Sequence, residues 1–184
     1  MIPLRVVGVE DGSFDAFKPG QSTFLCATCL RGDRFEWVKL GSVTVDGREA
    51  TGVLLEMLRG TRFDALILGG VSFAGFDVVD PGVLHEELGI PVVVYSPDLP
   101  DSASTFAALK TNFPDWAERW APIERLGDVY SVVSKGGEPP VFFEVAGCTR
   151  WEGEEILKAS VSLTRTPEPV RVAGIVARGL SRSV

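Results

Sequence analysis

The chain has 184 residues, of which 45% are hydrophobic and 23% charged, a globular composition that excludes fibrous and largely disordered classes. Its net charge of −7 argues against a protein that coats nucleic acid through bulk positive charge. No run of residues approaches the roughly 20 apolar positions that cross a bilayer, and the first residues lack the pattern of a signal peptide. We therefore expect a single domain over residues 1–184 that is cytoplasmic and does not bind a membrane.

Hydrophobic periodicity and turn residues divide the chain into strands and helices. In chain order the predicted elements are strands over Leu4–Glu10, near Thr23–Leu30 and near Phe35–Val45, a helix from Asp46-Gly47 to Gly60, a strand over Ala65–Gly70, a short helix around His85, a strand in PVVVYS, a helical stretch over Ser102–Trp120 that breaks at Pro114, strands in DVYSVVSK and PVFFEVAG, and helices near Arg150–Ala159 and Glu168–Leu180. Three strands followed by alternating helices and strands predict a mixed sheet with helices on both faces, an α/β fold.

Two of the three cysteines, Cys26 and Cys29, form a C-x-x-C pattern that is typical of redox and zinc sites. The pattern lies inside a predicted strand, where residues three apart point to opposite faces of the sheet. A structural zinc ion needs four ligands, and Cys148 and His85 would be the only others. We therefore predict that Cys26 and Cys29 are buried thiols without a redox or zinc function.

Acidic residues stand at three predicted strand ends or strand–helix junctions, where the active sites of α/β sheets gather. They are the pairs Glu10 and Asp11, Asp46 and Glu49, and Asp77 and Asp80. Carboxylates that converge from neighbouring elements are the ligands that Mg²⁺ requires. A structural alternative remains open, because Asp11 precedes a glycine as in a common turn, and Asp46 with Glu49 has the spacing of a helix capping box.

Basic residues concentrate at the C-terminal end of the chain. Arg171, Arg178 and Arg182 are spaced i, i+7 and i+11, which places them on one side of a helix. They are the candidate phosphate-binding residues for DNA or RNA. The alternative interpretation is a solvated helix face behind apolar side chains.

Six segments in this order resemble the archaeal domain-of-unknown-function family numbered ninety-nine, and the resemblance runs from about Leu4 to Gly179. The segments are VVGVEDGSF, VTVDGREAT, ALILGGVSFAGFDVVD, GIPVVVYSPDLPD, NFPDWAERW and TPEPVRVAG. That family is similar in turn to endonuclease V, which has a ribonuclease-H-like fold. The resemblance implies a mixed sheet that begins with three antiparallel strands and carries helices on both sides.

The resemblance also implies which residues hold a metal ion. The GVE segment ending at Glu10 is similar to the GVD of endonuclease V, which supplies a metal-binding aspartate, and the REA segment places Glu49 at the metal-binding glutamate. Asp11, next to Glu10, is a further candidate ligand. Gly69 stands where the third acid belongs, and Gly147-Cys148 stands where endonuclease V has Gly-His.

Two carboxylates in place of three bind Mg²⁺ or Mn²⁺ less well, so we expect a nucleic-acid or phosphate-ligand binding module whose phosphodiesterase chemistry is lost or weakened. One alternative is an active Mg²⁺-dependent endonuclease on modified or structured nucleic acid. If the chemistry is lost, restored activity in Gly69→Asp would locate the loss at the missing acid. Another alternative is a protein-interaction module, suggested by the spacing of Phe113, Trp116 and Trp120, which is also the spacing of a core-facing helix.

Overall fold

The computed structural model of the chain describes residues 3–16, 18 and 20–182. The strands of this part of the chain are β1 (Arg5–Asp11), β2 (Ser22–Arg31), β3 (Arg34–Thr44), β4 (Ala65–Leu68), β5 (Ser72–Phe73), β6 (Asp77–Val78), β7 (Val92–Ser96), β8 (Tyr130–Val132) and β9 (Val141–Ala146). Its helices are α1 (Ala50–Leu58), α2 (Pro81–Leu88), α3 (Ser102–Asn112), α4 (Trp116–Leu126), α5 (Arg150–Ser160) and α6 (Glu168–Ser181). No helix within these ranges is long and apolar enough to cross a membrane.

Seven of the strands form one mixed sheet in the order β3-β2-β1-β4-β7-β9-β8. Strands β1, β4 and β7 are parallel, and the other neighbours are antiparallel. Val9 pairs with Leu68, which pairs in turn with Val94, so β1, β4 and β7 end at one edge of the sheet. We call it the carboxyl edge. Glu10 and Gly69 follow the paired residues and therefore lie side by side there.

Helices cover both faces of the sheet, as the sequence predicts. Alternate strand residues point to opposite faces, so Val7 and Val9 pack with Leu54 of α1, whereas Val6 packs with Ile156 of α5. The side chains of these five residues are buried. The predicted α/β class is confirmed, and the two faces carry separate apolar cores.

Cys26 and Cys29 are fully buried in β2. Cys26 packs against Ala173 and Ala177 of α6, and Cys29 belongs to the core on the opposite face. Burial raises the pKa of both thiols to about 11. Two neutral thiols on opposite faces cannot join in a disulfide, which confirms the prediction of buried structural residues.

Two elements differ from the predicted ones. The glycine-rich segment after β4 contains the short antiparallel pair β5 and β6. Helix α4 continues beyond Trp120 to Leu126 although Pro122 lies inside it. Trp116 and Trp120 pack edge-to-face on Phe106 of α3, and their ring centroids lie 5.5 and 5.0 Å from the centroid of Phe106. The spaced aromatic residues therefore pack α4 against α3.

Glu144 on β9 is a buried carboxyl group without an ion-pair partner among the described residues. Its side chain is 7% exposed and lies beside a cavity of about 50 Å³ that Ser96 and Thr105 also line. Burial raises the pKa of Glu144 to about 7, because the charged form loses its hydration. The folded protein therefore holds a proton here that the unfolded chain releases at lower pH.

Because of this retained proton, we predict that Glu144→Gln becomes more stable relative to the wild-type protein as the pH rises. The wild-type protein loses the stability linked to that proton as the pH rises through the window between the unfolded and the folded pKa, whereas glutamine does not titrate. We expect the stability of the variant relative to wild type to increase by about 2 kcal/mol between about pH 5 and about pH 8. Urea unfolding of both proteins measures this difference. Glu124→Gln, at an exposed position, is the matched control, and an equal change in the two variants would contradict the assignment.

Candidate functional site

Glu10 at the end of β1 occupies the space that a side chain at position 69 would need. A Cβ atom placed on Gly69 would come within 2.6 Å of Glu10 Cδ, and closer still to Oε1. Glu10 accepts a hydrogen bond from the Asp11 backbone N–H through Oε2, at 3.3 Å. The longer acid on β1 and the glycine on β4 are therefore sterically linked.

The carboxyl groups of Glu10 and Asp11 are both partly withdrawn from water. Burial and the neighbouring Asp11 charge raise the pKa of Glu10 to about 7, although Arg178 opposes the shift. Burial also raises the pKa of Asp11, against a hydrogen bond of 2.6 Å that its Oδ2 accepts from the Ala74 N–H. Carboxyl groups with raised pKa values at the end of a strand are typical of functional sites.

Glu49 is turned back toward the loop that precedes α1. Its Oε1 accepts a hydrogen bond from the Thr44 N–H at 2.7 Å, and its Oε2 accepts one from the Arg48 N–H at 3.0 Å. These hydrogen bonds lower the pKa of Glu49. Within the described ranges, no group of three or more His, Cys, Asp and Glu side chains is arranged to hold a metal ion. The metal set of Glu10, Asp11 and Glu49 therefore stays a prediction.

Asp77 on β6 caps helix α1 from a distance. Its Oδ2 accepts hydrogen bonds from the N–H groups of Glu49 and Ala50, at 3.2 and 3.1 Å. The expected capping box between Asp46 and Glu49 is wrong, since Asp46 Oδ1 accepts from the Phe76 N–H instead. Asp77 Oδ1 is buried without a partner, and burial raises the pKa of this carboxyl group to about 6.

The loop that carries Asp77 is held against α4 by Arg119, a residue that sequence analysis missed. The buried guanidinium of Arg119 donates to the carbonyl oxygens of Asp46, Gly47 and Phe76, at 2.7–3.0 Å. Asp115, the N-cap residue just before α4, accepts from Arg119 Nε at 3.0 Å. The i, i+4 spacing of these two residues was the only indication in the sequence, and such pairs are usually exposed.

The three predicted phosphate-binding arginines have different surroundings. Arg171 forms two hydrogen bonds with Glu168 Oε2, at 2.9 and 2.8 Å, and is engaged within α6. Arg178 is exposed, and its charge lowers the pKa of Glu10 and Asp11. Arg182 follows the end of α6 and is exposed. Of the three, Arg178 is the one whose charge acts on both carboxyl groups, and phosphate binding by the set stays a prediction.

Gly147 and Cys148 lie far from Glu10. Ala146 at the end of β9 pairs with Val92 at the start of β7, so the next residues are at the sheet edge opposite the carboxyl edge. The ring of His85 fills the space beside Gly147. This position cannot bring a side chain to the end of β1.

One large cavity is also separate from the candidate residues. It has a volume of about 590 Å³ and lies between α2 and α4, where Asp80 and Arg125 line it. These two side chains form an ion pair across it. Asp80 additionally accepts a hydrogen bond from the Val83 N–H as the N-cap of α2, which explains this acid structurally. We therefore place the candidate site at the carboxyl edge and not in this cavity.

Comparison with protein families gives a match over residues 3–181 to a model described as endonuclease dU. A UPF0215 protein of Methanothermobacter thermautotrophicus is 34% identical over 183 residues, which cover 97% of this chain and 88% of the relative. A UPF0215 protein of Methanopyrus kandleri is also 34% identical, with 97% and 92% covered. These findings do not establish the numbered family label that the resemblance suggested.

Comparison with two solved structures identifies the fold. A protein of unknown function from Archaeoglobus fulgidus superposes with a TM-score of 0.84 at 28% identity, covering 96% of this chain and 98% of its own. Endonuclease V of Ciona intestinalis, in complex with a 24mer DNA containing an inosine followed by a ribo-adenosine, gives a TM-score of 0.61 at 13% identity, with 98% and 87% covered. The expected endonuclease-V-like, ribonuclease-H-like fold is thereby confirmed.

The contact between Glu10 and position 69 determines the effect of Gly69→Asp on stability. The single variant should be destabilised, because the new side chain and Glu10 need the same space. Shortening the neighbour in Glu10→Asp/Gly69→Asp should recover most of the lost free energy of unfolding, since buried neighbours couple by about 0.5–3 kcal/mol. Urea unfolding of the four proteins of this double-mutant cycle measures the coupling. Additive effects would show that Glu10 moves away without cost.

Proposed function

Because the chain belongs to the endonuclease dU family, we propose that it binds a nucleic-acid strand at the carboxyl edge and cleaves a phosphodiester bond there. The family description supplies the proposed substrate, a DNA strand that contains dU. The observation that carries the proposal is the pair of desolvated carboxyl groups at the end of β1, Glu10 and Asp11, which lies within the field of Arg178. The carboxyl edge of parallel strands is also where sheets of this class place their ligands.

The donor atoms at this edge fit a hard divalent cation such as Mg²⁺ or Mn²⁺. Mg²⁺ is commonly bound by one or two carboxylates together with substrate phosphates and waters, so a complete protein cage is not required. Glu10 and Asp11 would supply these carboxylates, with Glu49 as the further ligand if its hydrogen bonds to the loop are released. When bound, such a cation polarises the phosphate and lowers the pKa of a coordinated water.

The chain's own residues orient the strand. Arg178 is exposed beside both carboxyl groups and would bind a phosphate oxygen, which keeps the negative strand close to the acidic pair. The hydrogen bond from Ala74 to Asp11 fixes one carboxyl group against the β5–β6 loop. These contacts preorganise the edge before the substrate arrives.

A second candidate function is strand binding without cleavage. It is favoured by Gly69, which supplies no third acid, and by the two backbone hydrogen bonds that engage Glu49. Both candidates predict the same nucleic-acid surface and differ only in the chemistry.

A cleavage assay separates these two candidates. Single-stranded and duplex DNA with one dU, each matched to a control with thymidine, are incubated with the protein and Mg²⁺ or Mn²⁺. We expect metal-dependent cleavage of the dU strands, reduced at least about a hundredfold by Glu10→Gln and by Asp11→Asn, since a lost transition-state interaction costs orders of magnitude in rate. Glu56→Gln, an exposed change on α1, is the control.

Strand binding in EDTA is measured on the same variants. Binding without cleavage by the wild-type protein would support the second candidate. Absence of both binding and cleavage would overturn the proposed function altogether.

The contribution of Arg178 appears in the salt dependence of binding. Each phosphate contact to a single strand adds about 0.7 to the slope of log Kd against log salt concentration. We expect Arg178→Gln to weaken binding and to lower the slope by about this amount, whereas Arg171→Gln removes a residue engaged by Glu168 and should change the slope less. Fluorescence anisotropy over a salt series gives the slopes. Equal slopes for wild type and Arg178→Gln would exclude Arg178 from the phosphate contacts.

A further inference from the structure

We propose that a second copy of the chain binds along β3, with the two β3 strands antiparallel and paired about a two-fold axis at Leu40. We call the contact area the β3 surface; it consists of the outer edge of β3 and the side chains of Phe35, Val38, Leu40 and Ser42. Strand β3 is an end strand of the seven-stranded sheet, so one of its edges has no neighbouring strand. The inference goes beyond the proposed function and does not depend on it.

The side chains of the β3 surface continue a face of the sheet that helix α6 covers on the neighbouring strands. Cys26 of β2 pairs with Leu40, and Thr28 pairs with Val38, so the members of each pair point to the same face. Cys26 and Thr28 are fully buried, and Cys26 packs against Ala177 of α6. In contrast, Leu40 is 45% exposed and Val38 is 41% exposed. The cover therefore ends between β2 and β3.

Phe35 extends this exposed face toward the start of β3. It pairs with Leu30, which lies two residues beyond Thr28 on β2 and therefore points to the α6 side as well. The side chain of Phe35 is 50% exposed. Three large, exposed apolar side chains on one face of one strand form the kind of patch that marks an interaction surface.

The outer edge of β3 offers backbone hydrogen bonds at the same positions. Thr44 donates its N–H to Glu49 Oε1 at 2.7 Å, so this group points away from β2. Backbone groups alternate in direction along an antiparallel strand, so those of Ser42, Leu40 and Val38 also point outward. An edge of this kind is a template for another antiparallel strand, and a second copy of β3 supplies one.

Pairing about Leu40 uses the regular part of β3. The register between β2 and β3 shifts between Cys29 and Leu30, and residues 37–44 pair regularly with β2. Leu40 lies at the middle of this regular segment, and its backbone groups point outward. A two-fold axis at Leu40 therefore lets the same outward groups of both copies form hydrogen bonds with each other across the axis.

This register opposes residues that are compatible in charge and size. The two Leu40 side chains face each other, and Val38 faces Ser42 of the partner subunit. Lys39 faces Gly41 of the partner subunit. A two-fold axis at Lys39 would instead place two ammonium groups opposite each other, which destabilises a strand pair.

The shape of the molecule favours the same antiparallel orientation. A cavity of about 270 Å³ lies at the far end of β3, where Phe24, Ser42 and Ser181 are among the residues that line it. Because antiparallel pairing brings the start of one β3 beside the end of the other, Phe35 of each copy lies beside this cavity in its partner. Large aromatic side chains that fill a pocket contribute strongly to the binding free energy of an interface.

The size of the β3 surface also fits a second copy. Strand β3 has 11 residues and is therefore about 36 Å long. The roughly 800 Å² that each partner of a stable dimer buries corresponds to a strip about 22 Å wide along this length. Val172, Val176 and Leu180 repeat every four residues along one side of α6. Val176 packs on the cluster that contains Cys26, so this side of α6 lies next to β2 and widens the strip.

The test is sedimentation velocity of the full chain from about 1 to about 100 µM. We expect a dimer that forms with increasing concentration. Leu40→Lys should raise the dissociation constant at least about tenfold, because the two-fold axis repeats the change and places like charges opposite each other. Phe35→Ala should also raise it, since it empties the cavity of the partner. Val133→Lys, at a 54% exposed residue after β8, is the matched control.

Opposite charges test the register directly. Leu40→Glu alone should weaken the dimer as Leu40→Lys does. An equimolar mixture of these two variants should associate again, because opposite charges then face each other across the axis. Circular dichroism spectra that match the wild-type spectrum check that these substitutions of an exposed side chain preserve the fold.

A wild-type protein that sediments as a monomer over the whole series would overturn the inference. So would a dimer whose dissociation constant is the same for wild type, Leu40→Lys and Phe35→Ala, since the interface would then lie elsewhere. A mixture of the two Leu40 variants that stays monomeric would refute the pairing about Leu40. Strand binding at the carboxyl edge is a separate measurement, so the inference and the proposed function fail independently.

Discussion

The direct packing of α6 on the backbone of β1 is the contact on which the candidate site depends. A Cβ atom at Gly8 would come within 2.6 Å of the carbonyl oxygen of Pro169, so only glycine permits this approach. Thr28 on β2 donates a hydrogen bond to the same carbonyl oxygen at 2.6 Å, which fixes the start of the helix over the sheet. Because the helix is anchored there, its later turns carry Arg178 to the end of β1 and into the field of Glu10.

The fold class could be predicted because periodicity is a local property of the sequence. The alternation of helices and strands predicted the mixed sheet. The assignment of Cys26 and Cys29 to one strand predicted that their side chains point to opposite faces of the sheet. Hydrogen bonds between distant segments could not be obtained in this way. Asp46 and Glu49 have capping-box spacing, yet Asp77 caps α1 from 27 and 28 residues away. Spacing states which local bonds are possible, and tertiary contacts decide which of them form.

The candidate site shows the same limit at the level of single residues. The sequence has a glutamate at position 10 where endonuclease V has an aspartate, and a glycine at position 69 where it has an acid. In the sequence these are two separate differences. The pairing of β1 with β4 makes them one feature, because the longer side chain of Glu10 lies over Gly69. A sequence without the strand register cannot reveal that two positions share one space. The number of acids in the motif is therefore an incomplete measure of what the edge can bind.

Burial of carboxyl groups costs stability, and the acids of this chain differ in whether a basic residue offsets that cost. Glu168 and Asp115 have lowered pKa values because Arg171 and Arg119 pair with them. Glu10, by contrast, has a raised pKa, since burial and the Asp11 charge outweigh the opposing charge of Arg178. Burial also raises the pKa values of Glu144 and Asp77, but Glu10 and Asp11 differ from them in standing at the carboxyl edge, where sheets of this class place their ligands. A cation or a strand that brings hydrogen-bond donors would stabilise the ionised pair, so the same feature that costs stability in the free protein favours binding at the carboxyl edge.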